Sequence, residues 1–266
     1  MENSQLGALI DYLEEVAPLH YQESYDNSGL IYGTRNKVIS GVLISLDLTE
    51  QVLEEAIEKG CNVVVSHHPI IFSGIKKFQG HYVDRTIEMA IKNDIAIYAI
   101  HTNLDNVLDN GVNSKIAEIL GLENIAVLSE KKDLNANQRV GSGVIGHLNE
   151  NLEAGQFLDV LKNKMQLKVV KHTALLANKI RKVAVCGGSG SFLLAAAIEK
   201  EADVFITADF KYHEFFDADG KIIIIDIGHY ESERFTINLL YDLIIKKFSN
   251  FAAHCTKWDT NPVKYY

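Results

Sequence analysis

The stretch CNVVVSHHPIIF, residues 61–72, sets two histidines where a run of valines ends and a proline begins. A short run of branched apolar residues closed by a turn former reads as a buried strand leaving its sheet. Upstream, VISGVLISLDL reads as another strand, with Thr49 capping the helix EQVLEEAIEKG. Downstream, DRTIEMAIKND reads as a helix, IAIYAIHTN as a strand and NGVNSKIAEILG as a short helix. This βαβ alternation predicts an α/β fold in which helices cover mostly parallel sheets.

Working outward, Leu6, Ile10, Leu13 and Val16 recur at helical spacing, and Pro18 stops that helix before the polar loop HYQESYDNSGLIYG. From about residue 125 the rhythm loosens. The charged, Asn-containing stretch SEKKDLNANQRV reads as a boundary or a hairpin. A second α/β unit follows: RKVAVCGGSG into SFLLAAAIEKEA, then DVFITADF and a short helix near KYHEFF. The chain closes with the strand KIIIIDIGH and a long amphipathic helix, YESERFTINLLYDLIIKKF. We expect this last strand and helix to return to the first unit, which gives residues 1–125 plus 222–266 as one unit and 126–221 as the other.

Composition narrows the function classes. There are 26 Lys and Arg against 35 Asp and Glu, a formal charge of -9, so the basic footprint of a nucleic-acid binder is missing. Cys61, Cys186 and Cys255 show no C-x-x-C spacing, which suggests neither a disulfide framework nor a thiolate zinc site and fits a reducing cytoplasm. The N-terminal stretch is acidic and amphipathic rather than basic and then apolar. The longest apolar run is far too short for a membrane span. The expectation is a soluble cytoplasmic protein.

Parallel sheets place ligands at the carboxyl ends of their strands, and three polar clusters stand there: Ser66-His67-His68-Pro69, then AIHTNLDN with His101 and Asp105, then IGHYESER with His229 and Glu233. Four residues on a helix make one turn, so His229 and Glu233 can converge on a point. Neighbouring strand residues diverge, yet Pro69 lacks an N–H and holds His68 extended, so the ladder should end there and let both rings face one pocket. Imidazoles with carboxylates form a mixed N/O set suited to Zn, Mn, Fe, Co or Ni. Five donors exceed one tetrahedral zinc. Carboxylates can bridge, so Asp105 and Glu233 between two divalent ions, with histidines outside, is the economical arrangement. Taken singly, each residue also has an ordinary reading: a hydrogen-bonded loop histidine, a turn cap at Asp105, an ion pair of Glu233 with Arg234 or Lys246.

SHHPIIF, HTNLDN with the following NGVN, TADFKYHE and GHYESER together resemble the motifs of the Nif-three-like family, whose members are often called GTP cyclohydrolase I type 2 homologues. SYDNSGLIYG is similar to the family's opening motif, with Tyr25 where a tryptophan is usual. The resemblance spans residues 25–234. It implies two intertwined α/β/α units, a dinuclear metal site in the cleft between them and a toroidal homohexamer. Its ligands fall on His67, His68, Asp105, His229 and Glu233, the five that spacing singles out. The chain is too short for the domain that some relatives carry in the middle, which implies the compact form.

Three features remain open. The Gly-rich segment at 187–190 can hold a phosphate or make a tight strand-to-helix turn, and it lacks the P-loop lysine. In TADFKYHE, Asp209, Lys211 and His213 follow a strand; the resemblance sets this motif beside the metals, and His213 is the candidate acid/base, with a capped helix start as the alternative. His101 reads as support for a ligand, and Asp47 as a helix cap. The function expected is a metal-dependent hydrolase acting on a phosphate ester, a nucleotide or a purine ring. The rival is a metal-storage, metal-delivery or regulatory assembly, and a third reading is an ordinary nucleotide-binding α/β protein.

Overall fold

The structure, a computed structural model, describes residues 4–131, 139–176 and 179–266. Along the chain come α1 (Leu6–Val16), β1 (Gly29–Tyr32), β2 (Gly41–Ser45), α2 (Glu50–Glu58), β3 (Val63–Ser66), α3 (Tyr82–Lys92), β4 (Ala96–Ala99) and α4 (Thr102–Asp105). Next are α5 (Val112–Leu120), β5 (Glu123–Glu130), β6 (Gly141–Leu152), α6 (Ala154–Met165), β7 (Lys171–His172), β8 (Ile180–Ser189), α7 (Leu194–Glu199) and β9 (Val204–Ala208). The last are β10 (Ile223–Asp226), α8 (His229–Glu233), α9 (Thr236–Lys247) and β11 (Ala252–Cys255). The chain divides into two compact units, Met1–Leu104 with Thr236–Pro262, and Asp105–Phe235 with Val263–Tyr266.

The first unit carries a five-stranded sheet in the order β1-β4-β3-β2-β11. All its pairings are parallel except β1 with β4. Alternation sorts the side chains: Leu43, Val64 and Ile97 point to the face that α2 and α3 cover and join Val52, Leu53, Ile87 and Ala90 in one buried cluster. The run CNVVVS is buried throughout as β3, as its composition predicts. Thr49 caps α2, its hydroxyl accepting from Val52 N at 3.3 Å. The polar loop after Pro18 proves to contain β1. This four-residue edge strand pairs through backbone atoms with β4, and four residues are too few to show an alternation in sequence.

The second unit holds a six-stranded sheet in the order β5-β6-β8-β9-β10-β7. Here the expected parallel arrangement holds only for β8, β9 and β10, and the other pairings are antiparallel. For β5 and β6 the physical reason is connection length. Glu130 pairs with Gly141, and strands joined over so short a span run antiparallel, whereas a parallel pair needs a crossover. The charged connection read as a boundary or hairpin lies largely at 132–138, outside the described residues. Phe205, Phe210, Leu193, Leu194, Ile222 and Ile224 pack in a core on one side of this sheet.

The closing segment differs from the expectation in two ways. Ile223–Asp226 pairs in parallel with β9 and so belongs to the second unit's sheet, whereas α9 and β11 belong to the first unit. The single long helix is two: α8 ends at Glu233, and α9 begins at Thr236. An apolar run such as IIII fits either sheet equally well, and only pairing decides.

Candidate metal centre

In the first unit the strand register builds the site. Ser45, Ser66 and Ala99 stand side by side at the carboxyl ends of β2, β3 and β4. Two residues further along each strand come Asp47, His68 and His101. β3 ends at Ser66, before Pro69 as expected, and two further backbone bonds carry the chain into the turn: His67 N donates to Ser45 O at 3.1 Å and His68 N to Leu46 O at 2.9 Å. The rings of His67, His68 and His101 nonetheless gather, with centroids 4.9 to 5.2 Å apart. One nitrogen of each lies within 4.8 Å of the others, a spacing that can hold a cation.

Each of these rings meets an acceptor at Nδ1. His67 faces Ile100 O at 2.8 Å, His68 faces Asp47 Oδ1 at 2.8 Å, and His101 faces Asp26 Oδ1 at 2.8 Å. A carbonyl or carboxylate can only accept, so Nδ1 carries the proton and Nε2 is left as the basic nitrogen, the tautomer that metal ligation requires. Burial opposes the charge of Asp26, but hydrogen bonds from His101, the Thr102 hydroxyl and Asn27 N–H outweigh it and hold the carboxyl far below its usual range. Asp47 follows the same pattern more mildly: burial opposes its charge, and His68, then the Thr260 hydroxyl, prevail and lower its pKa.

The second unit assembles carboxylates. His229 opens α8, and its Nε2 lies 3.1 Å from Oε2 of Glu233 one turn on, as the four-residue spacing predicts. His229 Nδ1 is 2.6 Å from Asp209 Oδ2, so both ring nitrogens of this fourth imidazole face carboxylate oxygens. Glu233 is almost fully buried and lies against the backbone of Gly188, where an added Cβ would collide with its Oε1. Asn113 ties Asp105 into the same region: its side chain donates to Asp105 O at 3.0 Å and accepts from Gly187 N at 2.8 Å. Burial, then the negative charges of Asp105 and Glu233, push the Cys186 thiol well above its ordinary pKa, so this sulfur is a neutral packing group.

The structure therefore gathers His67 and His68 in one unit, and His229 and Glu233 in the other with Asp105 tied nearby. It promotes His101 from support to a member of the imidazole trio. Asp47 is no helix cap; Thr49 fills that place, and Asp47 orients His68. In TADFKYHE the residue that reaches His229 is Asp209, whereas His213 is exposed on a 3₁₀ turn with its ring against Tyr212 and Phe216. Gly187 and Gly188 lie within β8, and their N–H groups donate to Asn113 and Ser232, so this segment seats Glu233 rather than cradling a phosphate. Asp26, Asp47 and Asp209 were missed as site residues. Their one sequence signal is an acidic residue inside the opening motif or just past a strand.

A family model described as Duf34/NIF3 (NGG1p interacting factor 3) matches residues 4–262. A protein of Clostridium perfringens named GTP cyclohydrolase 1 type 2 homolog is 34% identical over 233 residues, 86% of this chain and 87% of that protein. A Staphylococcus epidermidis protein of the same name is 26% identical over 366 residues, covering 98% of this chain and 100% of its own; its additional residues have no counterpart here. The crystal structure of a Staphylococcus aureus hypothetical protein superposes with a TM-score of 0.91 at 30% identity, over 99% of both chains.

Proposed function

Because the chain belongs to the Duf34/NIF3 family, we propose that it binds two divalent metal ions and uses them as a metal-dependent hydrolase of a phosphate ester, a nucleotide or a purine ring. The proposed donors are His67, His68, His101, Asp105, His229 and Glu233. One observation carries the reading: His67, His68 and His101 each have Nδ1 engaged by an acceptor, which readies Nε2 for a cation. Three separate hydrogen bonds of this sense, on rings that gather, are more than loop histidines need.

When bound, divalent ions supply Lewis acidity, lowering the pKa of water toward neutrality and polarising a phosphoryl or carbonyl oxygen. The chain's residues do the rest. Asp26, Asp47 and Asp209 hold the rings in orientation, and Gly188 gives Glu233 its place. His213, exposed to solvent, is the proton carrier in this reading. The relatives' names motivate the purine substrate, and the resemblance motivates a cytoplasmic homohexamer, which sedimentation of the purified protein tests.

Elemental analysis of the purified protein is the direct test. About two ions per chain are expected, falling to one or none in His67→Ala and Asp105→Ala. Wild-type protein that retains no transition metal overturns the reading. Metal-loaded protein is then offered GTP and a generic phosphodiester, with His213→Ala expected to slow turnover while keeping its metal. Full burial of the His67 ring favours a second reading, in which the ions are structural or cargo in a delivery or regulatory assembly. Full metal content without turnover of any substrate would establish that reading instead.

A further inference from the structure

After β11 the chain has no regular secondary structure, yet specific bonds fix its course. Thr256 N donates to Ile44 O at 2.9 Å, extending the β11–β2 pairing by one residue. The buried carboxylate of Glu55 then takes the Thr256 hydroxyl at 2.6 Å and Lys257 N at 3.0 Å. Asn261 N closes a turn on Asp259 Oδ1 at 2.9 Å. Within that turn, the Thr260 hydroxyl donates to Asp47 Oδ2 at 2.7 Å, while the other oxygen of the same carboxylate faces His68 Nδ1. Both lobes of Asp47 are thus occupied, one by a proposed metal donor and one by the C-terminal segment.

The last residues, Val263–Tyr266, belong to the second unit. There the Tyr265 hydroxyl bonds to Glu231, the residue midway between His229 and Glu233 on α8. Gly228, at φ +88°, lacks the Cβ that would strike the Glu231 carboxylate and lie 3.1 Å from the Tyr265 oxygen. One segment of chain therefore touches the group behind His68 and also the helix that carries His229 and Glu233.

We propose that residues 256–266 form a strap that positions the metal donors, with Thr260 acting on His68 through Asp47 and Tyr265 acting on α8 through Glu231. The physical reason is rotational freedom. A carboxylate with one lobe bonded can turn about its Cβ–Cγ bond, and the imidazole it orients turns with it; a second bond to the other lobe locks both. Groups that directly bond a ligand typically govern about 10- to 100-fold in metal affinity. Thr260 stands one bond further out, so removing its hydroxyl is expected to speed metal release by about 3- to 10-fold.

This proposal rests on the metal-binding reading, and the experiment separates the two. Full-length protein is loaded with cobalt(II) alone, its d–d absorption is recorded, and transfer of the ion to a chelator is timed for wild type, Thr260→Val, Thr260→Ser and Tyr265→Phe. Metal-free thermal midpoints are measured alongside. The strap predicts faster release and an altered spectrum for Thr260→Val, rescue by Thr260→Ser, faster release for Tyr265→Phe, and metal-free midpoints close to wild type. Release and spectrum unchanged in Thr260→Val, or a serine variant no better than valine, overturns the strap and leaves the metal reading standing. Wild-type protein that takes up no cobalt overturns both.

Discussion

A methyl group at position 188 would be enough to displace Glu233. Gly188 sits at φ +63°, where an L side chain is strained by about 1–3 kcal/mol, and its absent Cβ is the room that the carboxylate fills. Gly188→Ala is therefore expected to lower the thermal midpoint and the number of ions per chain together, checked by calorimetry and elemental analysis. Asp47→Ala, in contrast, removes the acceptor behind His68 together with that of the Thr260 hydroxyl, and equilibrium metal titration should show affinity weaker by about 10- to 100-fold. The histidines themselves are legible in sequence because they stand at strand exits beside a proline. Their acceptors are not: Asp26 and His101 lie 75 residues apart, and no local pattern links a loop carboxylate to a ring brought to it by folding. Asp47 shows the cost of a purely local reading, since three residues before a helix an acidic side chain reads as a cap.

Among the elements, α2 is the one whose start the sequence specifies most completely, and it supports a quantitative test. Thr49→Ala loses the bond from Val52 N and should destabilise the protein by about 1 kcal/mol in urea unfolding, as removal of an N-cap hydroxyl typically does. A shift indistinguishable from zero would mean that water replaces the hydroxyl. Helices of the first unit were readable because the 3.6 period persists across whole elements, and its fully buried strands because each is a short continuous apolar run. The second unit was less so. Its strands β5 and β6 mix exposed and buried positions, β7 is two residues long, and pairing sense depends on partners that composition does not name. The break between α8 and α9 was equally hidden: Arg234 and Phe235 are acceptable helix residues, and the interruption has no proline or glycine to announce it.

At the scale of the molecule, the charge of -9 gives a phosphorylated ligand a net repulsion, which bound cations at the proposed centre would offset locally. The C-terminal end supplies a pH prediction. Burial, then the bond to Glu231, raises the Tyr265 hydroxyl from 10.0 to about 12. A pKa raised on folding favours the neutral phenol, so this contribution to stability is complete below pH 10.0 and is lost as the pH climbs through about 12. In carbon-13 tyrosine NMR, the signal that Tyr265→Phe deletes should titrate near 12; a midpoint near 10.0 would show that the phenol is not engaged. That both units draw on distant stretches of chain, Met1–Leu104 with Thr236–Pro262 and Asp105–Phe235 with Val263–Tyr266, also fixes an order of assembly on the ribosome. The unit that holds Met1–Leu104 lacks α9 and β11 until Thr236–Cys255 has been made, by which point the intervening residues of the other unit have emerged, so it is begun first and finished late. Nascent chains halted before residue 236 would expose the unprotected flank of β2, and such a flank recruits chaperones or other strands.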